Sequence, residues 1–143
     1  KGNNLLSQEI DFMKNYIELM KLRLSPKVSL DVTFPDSYTD VSIPPLLFLP
    51  FIENAFKHGI SYRHASFIKV SVKADPEELV FECRNSVGTN GDDLLKSGSG
   101  IGLENVKKRL RLLFPQKHHL EIIESGMTFN VILHIEMGQK TLT

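Results

Sequence analysis

Asn54, Lys57 and His58 lie three and four residues apart in the segment from Leu49 to Gly59. If that segment is helical, the spacing puts an amide oxygen, an ammonium and an imidazole along one edge. Such an edge suits a hydrated magnesium ion and polyphosphate oxygens, because magnesium takes oxygen ligands and keeps several of its waters. The same residues also fit a plain amphipathic helix, with Glu53 and Lys57 as an ordinary surface pair. A second segment, Ser97 to Val106, has Gly98, Gly100 and Gly102 at alternate positions and runs straight into a helical pattern. Glycines let backbone amides approach an anion closely, and a helix start adds unpaired N–H groups and a positive dipole end. Ile101 and Leu103 would anchor this turn to a core. A flexible linker has the same composition. No Gly-Lys-Ser/Thr closes the run as in a Walker loop, and no strand leads into it as in a Rossmann turn.

The elements that must hold these residues are readable from periodicity. Leu6, Ile10, Met13, Ile17, Met20 and Leu24 recur at alternating steps of four and three, which predicts a first helix. Leu5, Phe12, Tyr16 and Leu19 widen its stripe, so cover on more than one side is expected. Asn4 or Ser7 can cap it, Glu9 and Asp11 suit its positive end, and Ser25-Pro26 ends it. The stripe fits either core packing or a partner-helix seam.

Lys27 to Phe34 reads as a strand with Val28, Leu30 and Val32 on one face. A second helix is expected after Pro44 and Pro45, with Ser42 as a cap, Pro50 as a kink or restart, and Gly59 as a left-handed terminator. Strands follow near 66–74 and 78–85, and residues 86–100 read as a mobile loop. A third helix runs from about Gly102 to Phe114, stopped by Pro115. Strands near 118–124 and 127–137 close the chain, hinged at Ser125-Gly126. The last four strands form two hairpins. That favours an α/β sandwich, a mixed and mostly antiparallel sheet with helices packed on one face, over a doubly wound sheet.

Composition narrows the function classes. The 143 residues fit one domain with a sizeable core. Seventeen basic side chains balance seventeen acidic ones, so no global field draws nucleic acid or an anionic membrane. Lys107, Lys108, Arg109 and Arg111 read as the solvated face of the third helix, whose Val106, Leu110 and Leu113 are needed for core. A lone Cys83 excludes an internal disulfide framework and fits a reducing compartment. No apolar run approaches the roughly 20 residues that span a bilayer. The chain opens on Lys1 rather than Met, which reads as a piece of something longer.

Taken together, the two polar segments carry a family resemblance. "PPLLFLPFIENAFKHGI" resembles the N box of the gyrase, chaperone, histidine-kinase and MutL superfamily in its LytS-like form. "GSGIGLENVKKRLRLLFP" is similar to the glycine box of that form, and "SQEIDFMKNYIELMKLRL" to the helix joining the phospho-acceptor region to the ATP domain. The match covers roughly residues 5–137. It implies the Bergerat α/β sandwich over 26–143, with 1–25 as the linking helix and an ATP lid at about 87–99.

The resemblance also implies ATP and Mg2+ as ligands. Asn54 matches the asparagine that coordinates magnesium, and Lys57 and His58 match positions near phosphate or ribose. Gly98, Gly100, Ile101, Gly102 and Leu103 match the loop around the phosphates. Asn85, in "ELVFECRNS", stands where the family has an aspartate that accepts a hydrogen bond from adenine. A neutral amide accepts that bond more weakly than a carboxylate.

Superfamily members that hydrolyse ATP place a glutamate four residues before the N-box asparagine. Here that position is Pro50, which cannot act as a base toward water. Glu53 points about 100° away around a helix. The resemblance therefore implies phosphoryl transfer to a histidine upstream of Lys1, then to a response regulator, in a homodimer anchored in a bacterial inner membrane with this domain in the cytoplasm. His64, His118, His119 and His134 lie outside any acceptor motif and read as surface or strand-end histidines. Asn85 motivates the alternative, a degenerate pseudokinase that binds or scaffolds without catalysis.

Overall fold

A computed structural model describes residues 3–58, 65–87 and 99–137, and of 99–102 the backbone alone. In chain order the elements are β1 (Asn4–Leu5), α1 (Leu6–Lys21), β2 (Val28–Thr33), β3 (Ser42–Ile43), α2 (Leu49–His58), β4 (Ser66–Ala74), β5 (Glu78–Ser86), α3 (Ser99–Leu113), β6 (His118–Ser125) and β7 (Thr128–Glu136). Five strands form one sheet in the order β2-β4-β5-β7-β6. Only the β2–β4 pair is parallel.

Strict alternation along the long strands explains the layers. Ile68, Val70 and Val72 of β4, Leu79, Phe81 and Cys83 of β5, and Val131, Leu133 and Ile135 of β7 share one buried face. Lys69, Lys73 and Arg84 fall on the opposite face, which is open to water. The three helices among the described residues contribute to the buried side: Leu6, Ile10, Met13 and Ile17 from α1, Ile52, Ala55 and Phe56 from α2, and Val106 and Leu110 from α3. The result is the expected α/β sandwich, a mixed and mostly antiparallel sheet with helices on one face. The β6–β7 hairpin closes at Gly126, whose φ of +55° favours a residue without a Cβ.

Several local expectations change. Helix α1 ends at Lys21 rather than Ser25. The amides of Leu22, Arg23 and Leu24 donate to carbonyls three residues back, tightening the exit before the proline. Its start is capped by neither Asn4 nor Ser7. Gln8 Oε1 accepts the Leu5 N–H at 2.8 Å, and Asp40 accepts both the N–H and the hydroxyl of Ser7 at 2.7 Å. Of the residues expected to widen its stripe, Tyr16 is half-buried against Phe56, with ring centroids 6.0 Å apart, while Leu5, Phe12 and Leu19 are exposed. Ser42 sits in β3 opposite Leu5 and caps nothing. Pro50 causes no kink, because α2 starts at Leu49 and the missing N–H falls in the first turn, where donors are unpaired anyway. Gly59 and His64 lie outside the described residues.

Candidate functional site

Helix α2 is set on the sheet by aromatic packing. Phe48, just before it, stacks on Phe81 of β5 with centroids 4.9 Å apart, and Phe51 meets the same ring at 5.8 Å. The Cys83 thiol donates to the Phe51 carbonyl at 3.7 Å. Burial pushes that thiol up to about 12, with Glu82 adding to the shift. With Phe51, Ile52, Ala55 and Phe56 turned into the core, Asn54 and His58 come to the half-buried border of α2, while Glu53 and Lys57 are exposed.

Strand β5, the floor under α2, carries Asn85 as its last inward-facing residue. Alternation from Phe81 and Cys83 turns Asn85 inward, where it is 1% exposed. Its amide nitrogen donates to the Ser86 carbonyl at 2.8 Å. A polar side chain buried at the end of an otherwise apolar strand face is costly unless its groups find partners.

Helix α3 packs against α2 through the same core. It starts at Ser99, three residues earlier than the sequence predicts, so the backbone of Gly100, Ile101 and Gly102 lies in the first helical turn rather than in a loop. The first-turn amides of a helix are unpaired donors. Leu103 is half-buried against the core. Gly98 and most of the expected lid, residues 88–98, lie outside the described residues; Val87, at its beginning, donates its N–H to the Met127 carbonyl at 2.9 Å. Thus α2 carries Asn54, Lys57 and His58, packs on the strand that carries Asn85, and packs on the helix that opens with the glycines.

Two residues that hold this edge have other roles than the sequence suggests: Glu9 is buried rather than a surface charge at the helix dipole, and Arg109 is bonded to backbone rather than part of a solvated face. Glu9, 3% exposed, accepts from the Leu46 N–H at 2.8 Å and from Asn4 Nδ2 at 2.7 Å. Arg109 of α3 donates to the carbonyls of Pro45 at 2.5 Å and Leu46 at 3.2 Å. Leu46 has a φ of +55°, a conformation costing roughly 1–2 kcal/mol for a residue with a Cβ. The sequence signal was the position of each charge beside an apolar stripe, three residues after Leu6 and three after Val106.

Other polar clusters sit elsewhere. His134 Nδ1 is 2.6 Å from Glu78 and His119 Nε2 is 3.3 Å from Glu121, both on the open side of the sheet. A groove of about 520 Å³ lies between α1 and β2, lined by Ile17, Leu30, Val32 and Phe34 with Lys14, Glu18 and Lys21. Among the described residues no group of three His, Cys, Asp or Glu side chains is placed to hold a metal, and no helix is long and apolar enough to cross a membrane.

No known family profile matches the chain. It is 31% identical, over 152 aligned positions covering 94% of its length, to the sensor histidine kinase/phosphatase LytS of Staphylococcus aureus. The chain spans 26% of that relative. The fold is that of solved histidine-kinase catalytic domains. The catalytic domain of histidine kinase ThkA, in a nucleotide-free form, superposes with a TM-score of 0.60 at 13% identity, covering 96% of this chain and 97% of that one. Acinetobacter baumannii histidine kinase AdeS gives 0.62 at 15% identity over 96% of this chain and 68% of its own. Full-length ShkA in complex with AMPPNP gives 0.65 at 15% identity over 93% of this chain and 30% of its own.

Proposed function

The chain belongs with the LytS-like sensor histidine kinases, and from that kinship we propose that it is the ATP-binding catalytic domain of such a kinase. It transfers the ATP γ-phosphoryl group to a histidine upstream of Lys1, and from there the phosphoryl group passes to a response regulator. The observation that carries this reading is the placing of α2 between a strand ending in a buried amide and a helix opening on glycines.

Each residue has a distinct part. Asn54, half-buried on α2, offers an amide oxygen to magnesium, and phosphate and water complete the shell. Its donor type fits that ion. Lys57 and His58, one turn on, face phosphate or ribose. The first-turn amides of α3, from Gly100 through Leu103, meet phosphate oxygens, with Gly98 just before them. Asn85 accepts from the adenine amino group. Positioning and charge neutralisation supply most of the rate in phosphoryl transfer. Pro50 lies in the first turn of α2 and Glu53 is exposed, which supports transfer rather than hydrolysis.

The test is a longer chain that includes the upstream acceptor, followed with labelled phosphate. Label should appear on a histidine in the wild type and be lost in Asn54→Ala. Rapid ATP hydrolysis by the present chain would overturn the assignment.

Asn85 favours one other reading, a scaffold that has lost catalysis. No binding of a non-hydrolysable ATP analogue with magnesium at millimolar concentration would decide for it. Association rests on α1, whose exposed Phe12 and Leu19 lie seven residues apart, the spacing of a helix-pair seam. The whole protein is then a homodimer, with this domain on the cytoplasmic side of an inner membrane. A monomer in sedimentation of the longer chain would remove the dimer.

A further inference from the structure

The peptide unit between Pro45 and Leu46 is held at both of its polar atoms by opposite charges. Its N–H donates to Glu9 Oε1 of α1 at 2.8 Å, and its carbonyl accepts from Arg109 Nη2 of α3. Arg109 Nη1 also takes the next carbonyl, that of Leu46, at 3.2 Å. Hydrogen bonds to charged groups are the strong ones, and polarising one amide from both ends strengthens each. The grip explains why a leucine keeps a φ of +55°: such conformations persist where the surroundings over-determine them.

The three partners come from three different places. Glu9 belongs to a helix whose start is pinned by Asp40 and by the Leu6 N–H donated to the Val41 carbonyl at 2.8 Å. Arg109 belongs to the helix that opens on the glycines. The peptide itself leads, through the buried Leu47 and Phe48, into α2 and Asn54. No contact between Glu9 and Arg109 is needed, since the amide joins them.

We infer that Glu9 and Arg109 are positioning residues which, by clamping this one peptide, make the setting of α2 depend on α1 being docked. This deepens the nucleotide reading above and rests on it for its consequence. When α1 is seated, Glu9 holds Leu46 in its left-handed conformation and Arg109 locks α3 to the same unit, so Asn54 and the glycine turn keep a fixed relation. When α1 lifts, the buried carboxylate leaves, Leu46 relaxes toward ordinary φ, and Arg109 loses its aligned pair of carbonyls. A change at the linking helix thereby reaches the phosphate end of the site without touching nucleotide.

Two measurements on Glu9→Gln, Arg109→Lys and the double variant separate this from simple loss of stability. The first is amide hydrogen exchange without nucleotide. Each single variant should exchange the α2 amides from 51 to 56 at least about fivefold faster, with β4, β5 and β7 unchanged, and the double variant should be no faster than the worse single. Wild-type exchange in α2, an equal rise in the sheet, or additive effects overturn the inference. The second is calorimetry with AMPPNP and magnesium, where each variant should bind roughly tenfold more weakly. Wild-type affinity in variants with faster α2 exchange would overturn the link to nucleotide. Absence of binding by the wild-type chain would instead sink the nucleotide reading, leaving the exchange data to judge the clamp.

Discussion

Helices α2 and α3 rest against the same sheet and against each other, yet they are introduced in opposite ways. The approach to α2 is rich in proline: Pro44, Pro45 and then Pro50 restrict the backbone, Phe48 is stacked on Phe81, and the peptide before Leu46 is gripped from two sides. Helix α3 instead opens on glycine: Gly100 and Gly102 lie in its first turn, and glycine loses more backbone entropy on ordering than any other residue. Proline and buried aromatics set Asn54 before any ligand arrives. In the site proposed above, the amides that would meet phosphate open a helix on glycines, where no side chain limits how closely an anion approaches. The difference is between a half set by packed rings and a half set by bare backbone.

The largest effect should come from removing the floor of the preset half. Phe81→Ala deletes a fully buried ring that meets both Phe48 and Phe51, so urea denaturation should show a loss of about 3–5 kcal/mol. Leu112→Ala, on the exposed side of α3, should cost under about 0.5 kcal/mol. Equal costs would break the contrast. Next comes Asn54→Ala, which removes only a half-buried amide. Binding of AMPPNP with magnesium should weaken about 100-fold, or roughly 2.7 kcal/mol, with a melting temperature close to the wild type. A large fall in melting temperature would mean that Asn54 is structural.

Cys83 gives a pH test of the same floor. Burial holds its folded pKa at about 12, above the ordinary thiol value of about 9, so the protonated thiol contributes stability that is fully present below pH 9 and lost as pH rises toward 12. Denaturation at pH 9 and pH 10.5 should differ by roughly 2 kcal/mol, at about 1.4 kcal/mol per pH unit for one proton. Cys83→Ala should flatten the profile except for Tyr16 and Tyr38, whose raised values act in the same direction. The smallest effect is Asn85→Asp. A charged acceptor should tighten analogue binding about fivefold, near 1 kcal/mol, while burying a carboxylate lowers the melting temperature. Unchanged affinity would remove Asn85 from the adenine contact.

Strand alternation and the stripe of α1 were legible because burial repeats with the period of the element. Pro50 left a kink or a helix start open, and the choice falls on the start because Phe48 and Phe81, far apart in sequence, fix where α2 begins. Asp40 as the cap of α1 and the Glu9–Leu46–Arg109 clamp were not legible. Their partners are 33 to 64 residues distant, and a charge next to an apolar stripe looks like any other charge until the fold closes over it. The residues assigned to nucleotide came from the resemblance of their motifs to the family's, and burial adds that Asn54 and Asn85 belong to packed neighbours, α2 and β5.

Hydrogen exchange of the wild-type chain with and without AMPPNP and magnesium tests the site most directly. New protection should appear in two stretches, 53–58 and 99–104, with larger gains in the second, and no change on the Lys69–Arg84 side of the sheet. Protection confined to the groove between α1 and β2, or none at saturating ligand, would contradict it.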